Sequence, residues 1–268
     1  MCLKFVFLFF IFIIGLFIGS FLNVLVDRLS REESIIKGRS HCEKCKKTLQ
    51  WYDLIPLLSF ILLGRKCRYC HFPLSFYYPV VELTTGILFV IAYLFINNNL
   101  PFTIYHLPFI SLFYYLFIVS CLIVVFFADL KYGIIPDKIV FPAILVSFLY
   151  LILNTKYLIL PHLLSALGAG LFFLFLSLIK IKKHRAMGFG DVKFAFLMGL
   201  ILGFQNIIVS LYIAFLTGAI AGCILILWGK KKLTGTSIPF GPFLVLGTFL
   251  ALFWGDAIFQ KIMLLLLR

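Results

Sequence analysis

Four cysteines and two aspartates carry most of the chemistry this sequence could perform. "HCEKC" at 41–45 and "CRYCH" at 67–71 supply two Cys-x-x-Cys pairs, Cys42/Cys45 and Cys67/Cys70, separated by 21 residues. That spacing suits a tetrahedral metal site, because each pair can fold into a tight knuckle that offers two thiolates to one ion. Zinc is the expected metal. Four thiolates close its coordination and leave no position for a substrate, so the site is expected to be structural and to fold a loop too poor in apolar residues to fold alone. His41 and His71 are substitute ligands or neighbours. "CRYCH" alone also matches a c-type haem attachment sequence, a reading that leaves the first cysteine pair without a role. Cys2, Cys121 and Cys223 read as small apolar side chains.

The acidic residues are scarce enough to take singly: there are 10 in 268 residues. Glu32, Glu33, Glu43 and Asp53 fall among basic residues in a polar segment and read as solvated charge. Asp256 lies near the end of the last apolar run. Asp27, Glu82, Asp129, Asp137 and Asp191 fall at or just inside the ends of apolar runs, where an ionisable group is costly and becomes a functional candidate. Asp129 closes "FYYLFIVSCLIVVFFAD", a helix C-terminus whose dipole opposes a negative charge, so capping does not explain it. Pairing with Lys131 or another base is the alternative. Asp137, in "IIPD" before "KIVFPAIL", reads first as a helix start. Asp191, in "GFGD" before another apolar run, fits a helix cap as well as a working group. Asp129 and Asp191 are expected at one membrane depth. Two close carboxylates that share a proton can act as base toward water and acid toward a carbonyl or leaving amine, and Gly188 and Gly190 would admit an extended peptide.

The elements that must position these groups are membrane helices. Hydrophobic residues are 63% of the chain and charged ones 13%, with a mean hydropathy of +1.12, far from the balance of a soluble domain. The fold class is therefore an all-α polytopic membrane protein with about eight transmembrane helices. A retained first span, Leu3 to Val26, is followed by Tyr78 to Ile96, Leu107 to Ala128, Lys138 to Leu153, Pro161 to Lys180, Val192 to Leu202, Asn206 to Trp228 and Phe240 to Phe259. The sixth is short, and with Gly203 and Gln205 it reads as a half-helix or a steeply bent hairpin with the seventh. The domain reading is a first helix over 1–26, a zinc-binding loop domain over 27–77 and a seven-helix membrane domain over 78–268.

Charge sets the orientation. Ten of the 24 Lys and Arg residues lie between Arg28 and Arg68. Lys131 and Lys138, then Lys180, Lys182, Lys183 and Arg185, then Lys230 to Lys232 fall on the same side; the connection 97–106 is uncharged and 154–160 has Lys156 alone. By the positive-inside rule the N-terminus is outside and the basic loops are cytoplasmic, a reducing compartment that disfavours disulfides. The net charge of +14 thus reports topology and contact with the lipid bilayer, not nucleic-acid binding.

These residues resemble those of the type IV prepilin leader peptidases, also called prepilin peptidase/N-methyltransferases, membrane aspartyl proteases with a Gly-x-Gly-Asp motif. "GSFLNVLVDRL" at 19–29, the paired cysteines, "YPVVELTTG" at 78–86, "ADLKYGIIPD" at 128–137, "MGFGDVK" at 187–193 and "IPFGPFL" at 238–244 stand in the family's order. Ser30 stands where the family commonly has proline, and Arg65 where members with methylation often have glycine. The resemblance implies an aspartic endopeptidase in the bacterial cytoplasmic membrane with Asp129 and Asp191 as its catalytic pair and Zn2+ held by Cys42, Cys45, Cys67 and Cys70. It implies prepilin or pseudopilin precursors with basic leader peptides as partners, and in many members N-methylation of the new terminus with S-adenosylmethionine. Glu82, near the loop and the membrane surface, is the candidate for that cofactor's site, with a buried ion pair to a nearby Lys or Arg as the alternative. The competing reading is a proton-coupled transporter with Asp129 and Asp191 as a relay, which requires midplane carboxylates and inverted repeats that the sequence lacks.

Overall fold

The computed structural model describes residues 2–34, 38–99, 108–154, 159–181, 184–185, 187–228 and 239–266. Lys156, Lys182, Lys183, Lys230 to Lys232, Ile238 and residues 100–106 of the uncharged connection lie outside the described residues. The helices are α1 (Cys2–Ser30), α2 (Leu58–Leu62), α3 (Tyr77–Asn99), α4 (Pro108–Tyr132), α5 (Asp137–Asn154), α6 (Ile159–Leu178), α7 (Phe189–Leu227) and α8 (Gly241–Leu266). The expected all-helical membrane architecture is what forms. The strands among the described residues are β1 (Lys180–Ile181) and β2 (His184–Arg185), an antiparallel pair between α6 and α7. Six of the described helices are long and apolar enough to cross a membrane. The eight expected spans reduce to this number because α5, 18 residues with Pro142 inside it, falls outside that set and the expected sixth and seventh segments form the single element α7.

The chain divides into two compact units, Met1–Phe127 and Ala128–Arg268. In the first, α1 and α3 run antiparallel along a seam of small residues. A Cβ added to Gly15 would lie 2.7 Å from the Gly86 Cα, and one added to Gly19 would lie 2.7 Å from the Glu82 Cα. Without side chains at these points the backbones approach closely and gain dispersion contacts, the force that associates helices in lipid, where tails are as apolar as the helices.

In the second unit α7 is a hairpin. Gly203 breaks the helix with φ 72° and ψ −176°, a conformation glycine adopts without steric cost. Gly170 of α6 would place a Cβ 3.5 Å from the Phe196 ring, while Phe173, one turn further along α6, sits with its ring 6.2 Å from that of Phe215. In one straight helix Phe196 and Phe215 would be about 28 Å apart, so the chain reverses at Gly203. The reversal frees carbonyls that lipid cannot satisfy. His162 Nδ1 donates to the Leu200 carbonyl at 2.9 Å and Ser165 Oγ to the Gly199 carbonyl at 2.9 Å. A Cβ at Gly199 would fall 2.5 Å from the Ala166 Cα, so α6 is flush against the turn. The first arm, residues 189–202, is about 21 Å long, shorter than the hydrocarbon core of about 30 Å.

Candidate functional site

The two cysteine pairs fold as two copies of one knuckle offset by 25 residues. In the first, Cys42 N–H donates to the Lys47 carbonyl, Lys46 N–H to the Cys42 carbonyl and Leu49 N–H to the Ser40 carbonyl. The second repeats this pattern with Cys67 to Phe72, His71 to Cys67 and Leu74 to Arg65. Lys46 at φ 57° and His71 at φ 54° occupy the same left-handed position in each. His71 is therefore a turn residue of its knuckle, and His41 lies in the bridge that pairs it with Thr48.

The four Sγ atoms lie within 4.8 Å of one another, with Cys42 and Cys70 3.8 Å apart. A tetrahedral ion with Zn–S bonds of about 2.3 Å requires edges of about 3.8 Å, so the thiols fit a metal ion such as zinc. The separation is nearly twice the ~2.05 Å of a disulfide, and all four cysteines are free. The Phe72 N–H lowers the Cys70 thiol, but partial burial and the neighbouring thiols of Cys45, Cys67 and Cys42 outweigh it and push the thiol up to about 11. Metal binding must displace protons from this cluster.

Around the thiols the loop is cross-tied by aromatic and ionic contacts. Lys47 of the first knuckle lies over the Tyr69 ring of the second at 4.3 Å, and Lys44 over Phe72 at 4.9 Å. Asp53, expected to be solvated, is instead drawn inward: its side chain is 2% exposed, with Arg68 Nε donating to it at 2.7 Å and the Gln50 N–H at 3.1 Å. The sequence offered no signal for this, since Asp53 and Arg68 are brought together only by the second knuckle.

Glu82 is buried at the seam opposite Gly19. Its Oε2 accepts the Leu57 N–H at 2.9 Å. Leu57 has φ 59°, a backbone state costing on the order of 1–3 kcal/mol for a residue with a side chain, and the hydrogen bond to the buried carboxyl helps hold it. One turn earlier on α3, the Tyr78 carbonyl accepts from Asn23 Nδ2 at 3.2 Å. Asn23 Oδ1 is buried with no partner among the described residues.

In the second unit Asp129 and Asp191 are close enough for the charge of one to act on the other. Asp191 stands in the first turn of α7 and reaches back to the Gly188 N–H at 3.1 Å, the acidic half of a capping box. Asp129 is 6% exposed, and its Oδ2 accepts the N–H of Gly241, the first residue of α8, at 2.8 Å. The expectation that no cap serves Asp129 is corrected here. Its own helix end disfavours it, but the positive end of α8, 112 residues further on, receives it. Each carboxylate therefore touches the start of a helix through Oδ2, and Oδ1 of each accepts no hydrogen bond from the described residues.

Three further contacts position the pair. Gly133, at φ 67°, ends α4 with its N–H on the Asp129 carbonyl at 2.9 Å, the left-handed exit that glycine favours. Gly190 accommodates a neighbour within the protein: a Cβ there would lie 3.0 Å from Ile135 Cβ. Lys193 Nζ donates to both oxygens of Asp137, at 2.8 and 2.7 Å, tying the start of α5 to the second turn of α7. Asp137 thus combines the expected helix start with an ion pair that the sequence reading did not contain. Gly241 was missed as well. Its sequence signal is its place in "IPFGPFL" at 238–244, a glycine between Phe240 and Pro242 at a helix entry.

Residues 13–96 match the Bacterial Peptidase A24 N-terminal domain, and residues 116–223 match the Type IV leader peptidase family. The chain is 33% identical over 251 residues to the prepilin leader peptidase/N-methyltransferase of Bacillus subtilis (strain 168), covering 92% of this chain and 94% of the relative. It is 32% identical over 278 residues to the protein of the same name from Legionella pneumophila, covering 92% of each. With the Pseudomonas aeruginosa protein of that name the identity is 29% over 279 residues, covering 92% of this chain and 90% of the relative. No solved structure matches the chain. The two domain matches leave the cysteine loop in one and both aspartates in the other, and on these likenesses the chain belongs to the type IV leader peptidase family.

Proposed function

We propose that this chain is a membrane aspartic endopeptidase that removes the basic leader of type IV prepilins and pseudopilins, with Asp129 and Asp191 as the catalytic pair. The observation that carries this reading is the pairing itself: two interacting carboxylates, each positioned by a backbone N–H and each with one oxygen that accepts no hydrogen bond from the described residues. In the proposed step the ionised member takes a proton from water as the oxygen attacks the scissile carbonyl, and the protonated member donates to the carbonyl oxygen. Collapse of the resulting diol passes a proton to the leaving amine and returns the pair to its starting state.

The loop domain, 27–77, is proposed to hold Zn2+ through Cys42, Cys45, Cys67 and Cys70. The ion would supply structural closure of the two knuckles, and the hydrolysis runs on the carboxylates. For N-methylation, Glu82 is the proposed cofactor-site residue. S-adenosylmethionine, when bound, supplies the methyl group for the new amino terminus. A buried carboxyl group and the Asn23 Oδ1, which has no partner among the described residues, suit a ligand that carries positive charge and N–H donors. The protein is proposed to lie in the bacterial cytoplasmic membrane with its N-terminus outside and the basic loops, including 27–77, in the cytoplasm.

Intact-mass analysis of a co-expressed prepilin tests both activities. Loss of the leader with addition of one methyl mass is expected. Leader loss that survives Asp191→Asn at the full rate removes the assignment of the pair.

A further inference from the structure

The polar character expected for the whole of 27–77 does not hold for its middle. Residues 51–62, "WYDLIPLLSFIL", contain one charged side chain, Asp53, and that carboxylate is turned inward onto Arg68 and the Gln50 N–H. What the segment presents outward is apolar. Trp51 is 74% exposed, Ile61 71% and Leu62 75%, with Tyr52, Leu54 and Leu58 exposed beside them. Pro56 is buried, and Phe60 packs on Phe76 at 5.6 Å, so the segment has a definite inner side and outer side.

The same segment is fastened to the membrane helices of its own unit. Leu57 N–H binds the Glu82 carboxylate in the second turn of α3, and Ser20 Oγ of α1 lies 3.5 Å from the Leu54 carbonyl. These attachment points stand where the exposed apolar faces of two candidate spans end. On α1 that face ends at Phe21, and on α3 it begins at Val80. The exposed cations Arg65 and Lys66 follow at once, and the Arg65 guanidinium lies 4.1 Å from the Phe76 ring centroid. An apolar ridge continuous with lipid-facing helices and edged by cations complements the boundary between acyl chains and anionic headgroups.

We propose that residues 51–62 form an interfacial wedge, which seats the cysteine loop in the lipid boundary at the membrane face where α1 ends, with Trp51, Ile61 and Leu62 in contact with lipid. Tryptophan is favoured at this depth because its ring is apolar and its N–H stays near water. The wedge does not depend on the peptidase reading, and it would orient the loop equally in a protein with another activity.

The test uses the full chain in proteoliposomes with Trp228→Phe and Trp254→Phe, which leaves Trp51 as the only indole. Lipids brominated near the headgroup should remove roughly half of the Trp51 emission, lipids brominated near the bilayer centre much less, and aqueous iodide little. Quenching by iodide as efficient as that of free indole, with no response to either bromolipid, overturns the proposal and places the loop in water. Shielding from both quenchers also overturns it, in favour of a protein partner or a second copy on this face. Adding Ile61→Glu with Leu62→Glu should transfer Trp51 from bromolipid to iodide quenching while bound zinc, measured in the same sample, is unchanged. Unaltered bromolipid quenching in that variant sinks the role given to the α2 ridge.

Discussion

The cysteine cluster and the aspartate pair are built in opposite ways. Each knuckle is closed by hydrogen bonds between residues at most nine positions apart, Ser40 with Leu49 and Arg65 with Leu74, and only the joining of two knuckles requires the longer chain. The aspartate pair draws on the end of α4, the start of α7 and the start of α8, with Asp129 and Gly241 separated by 112 residues. The chemistry differs in the same sense. Four sulfurs turned toward one another would satisfy an ion and exclude a substrate, whereas two carboxylates that each keep one oxygen unpaired among the described residues would, in the proposed reading, engage water and a peptide. A closed site suits structure and an open one suits turnover, as with closed and open zinc sites generally.

The sharpest break between the two regions is expected from Asp191→Asn or Asp129→Asn. Each should lower leader cleavage on the order of ten-thousand-fold, measured as precursor and mature pilin on gels, while membrane insertion and zinc content stay at wild-type levels. Loss of zinc in either variant would mean that the two regions are not separable.

The reciprocal change, Cys42→Ser, should abolish stoichiometric zinc and leave 40–74 open to proteases, because the metal's binding energy is that loop's folding energy. Cleavage of a prepilin should remain above the background of the aspartate variants. A fall to that background would put the metal in the hydrolytic step. Zinc affinity should also weaken on acidification, since the thiols must give up protons to bind the ion; an affinity that is flat with pH would contradict ligation by thiolates.

Gly241→Ala probes the pair more finely. The added methyl would stand 2.6 Å from Asp129 Oδ2, so the carboxylate or the start of α8 must shift. A loss of roughly tenfold to a hundredfold in kcat, with KM much less affected, is expected from misplacing one member. Wild-type turnover would remove the Gly241 N–H from the positioning of Asp129.

The smallest effect belongs to the Asp137–Lys193 pair. Both side chains are partly open to solvent, at 51% and 34% exposed, so its contribution to stability is at most about 1 kcal/mol. Asp137→Lys should reduce turnover by about tenfold through the start of α7, and combining it with Lys193→Asp should restore part of that loss. No recovery in the double variant would mean that the pair does not act as a latch.

What could be read from residues alone follows the range of the forces involved. The long apolar helices, the cysteine knuckles and Asp191 at a helix start depend on neighbours within a few positions, and each is legible in sequence. The break between the sixth and seventh spans was also marked, by Gly203. Its direction was not, because the reversal is fixed by Phe173 meeting Phe215 and by His162 and Ser165 supplying donors to the freed carbonyls. Asp53 illustrates the same limit. A lone acid among bases reads as solvated until Arg68 and the Gln50 N–H are folded around it.

The sequence by itself therefore determined the membrane class, the fourfold thiol set and the identity of the two unusual aspartates. Periodicity, spacing and the cost of charge in lipid act along the chain. Only the tertiary structure decided that Asp129 rests on the start of α8 and that residues 51–62 turn an apolar face outward. Hydrogen bonds and burial join groups that share space whatever their separation in sequence, and one chain read in order carries no direct record of those meetings.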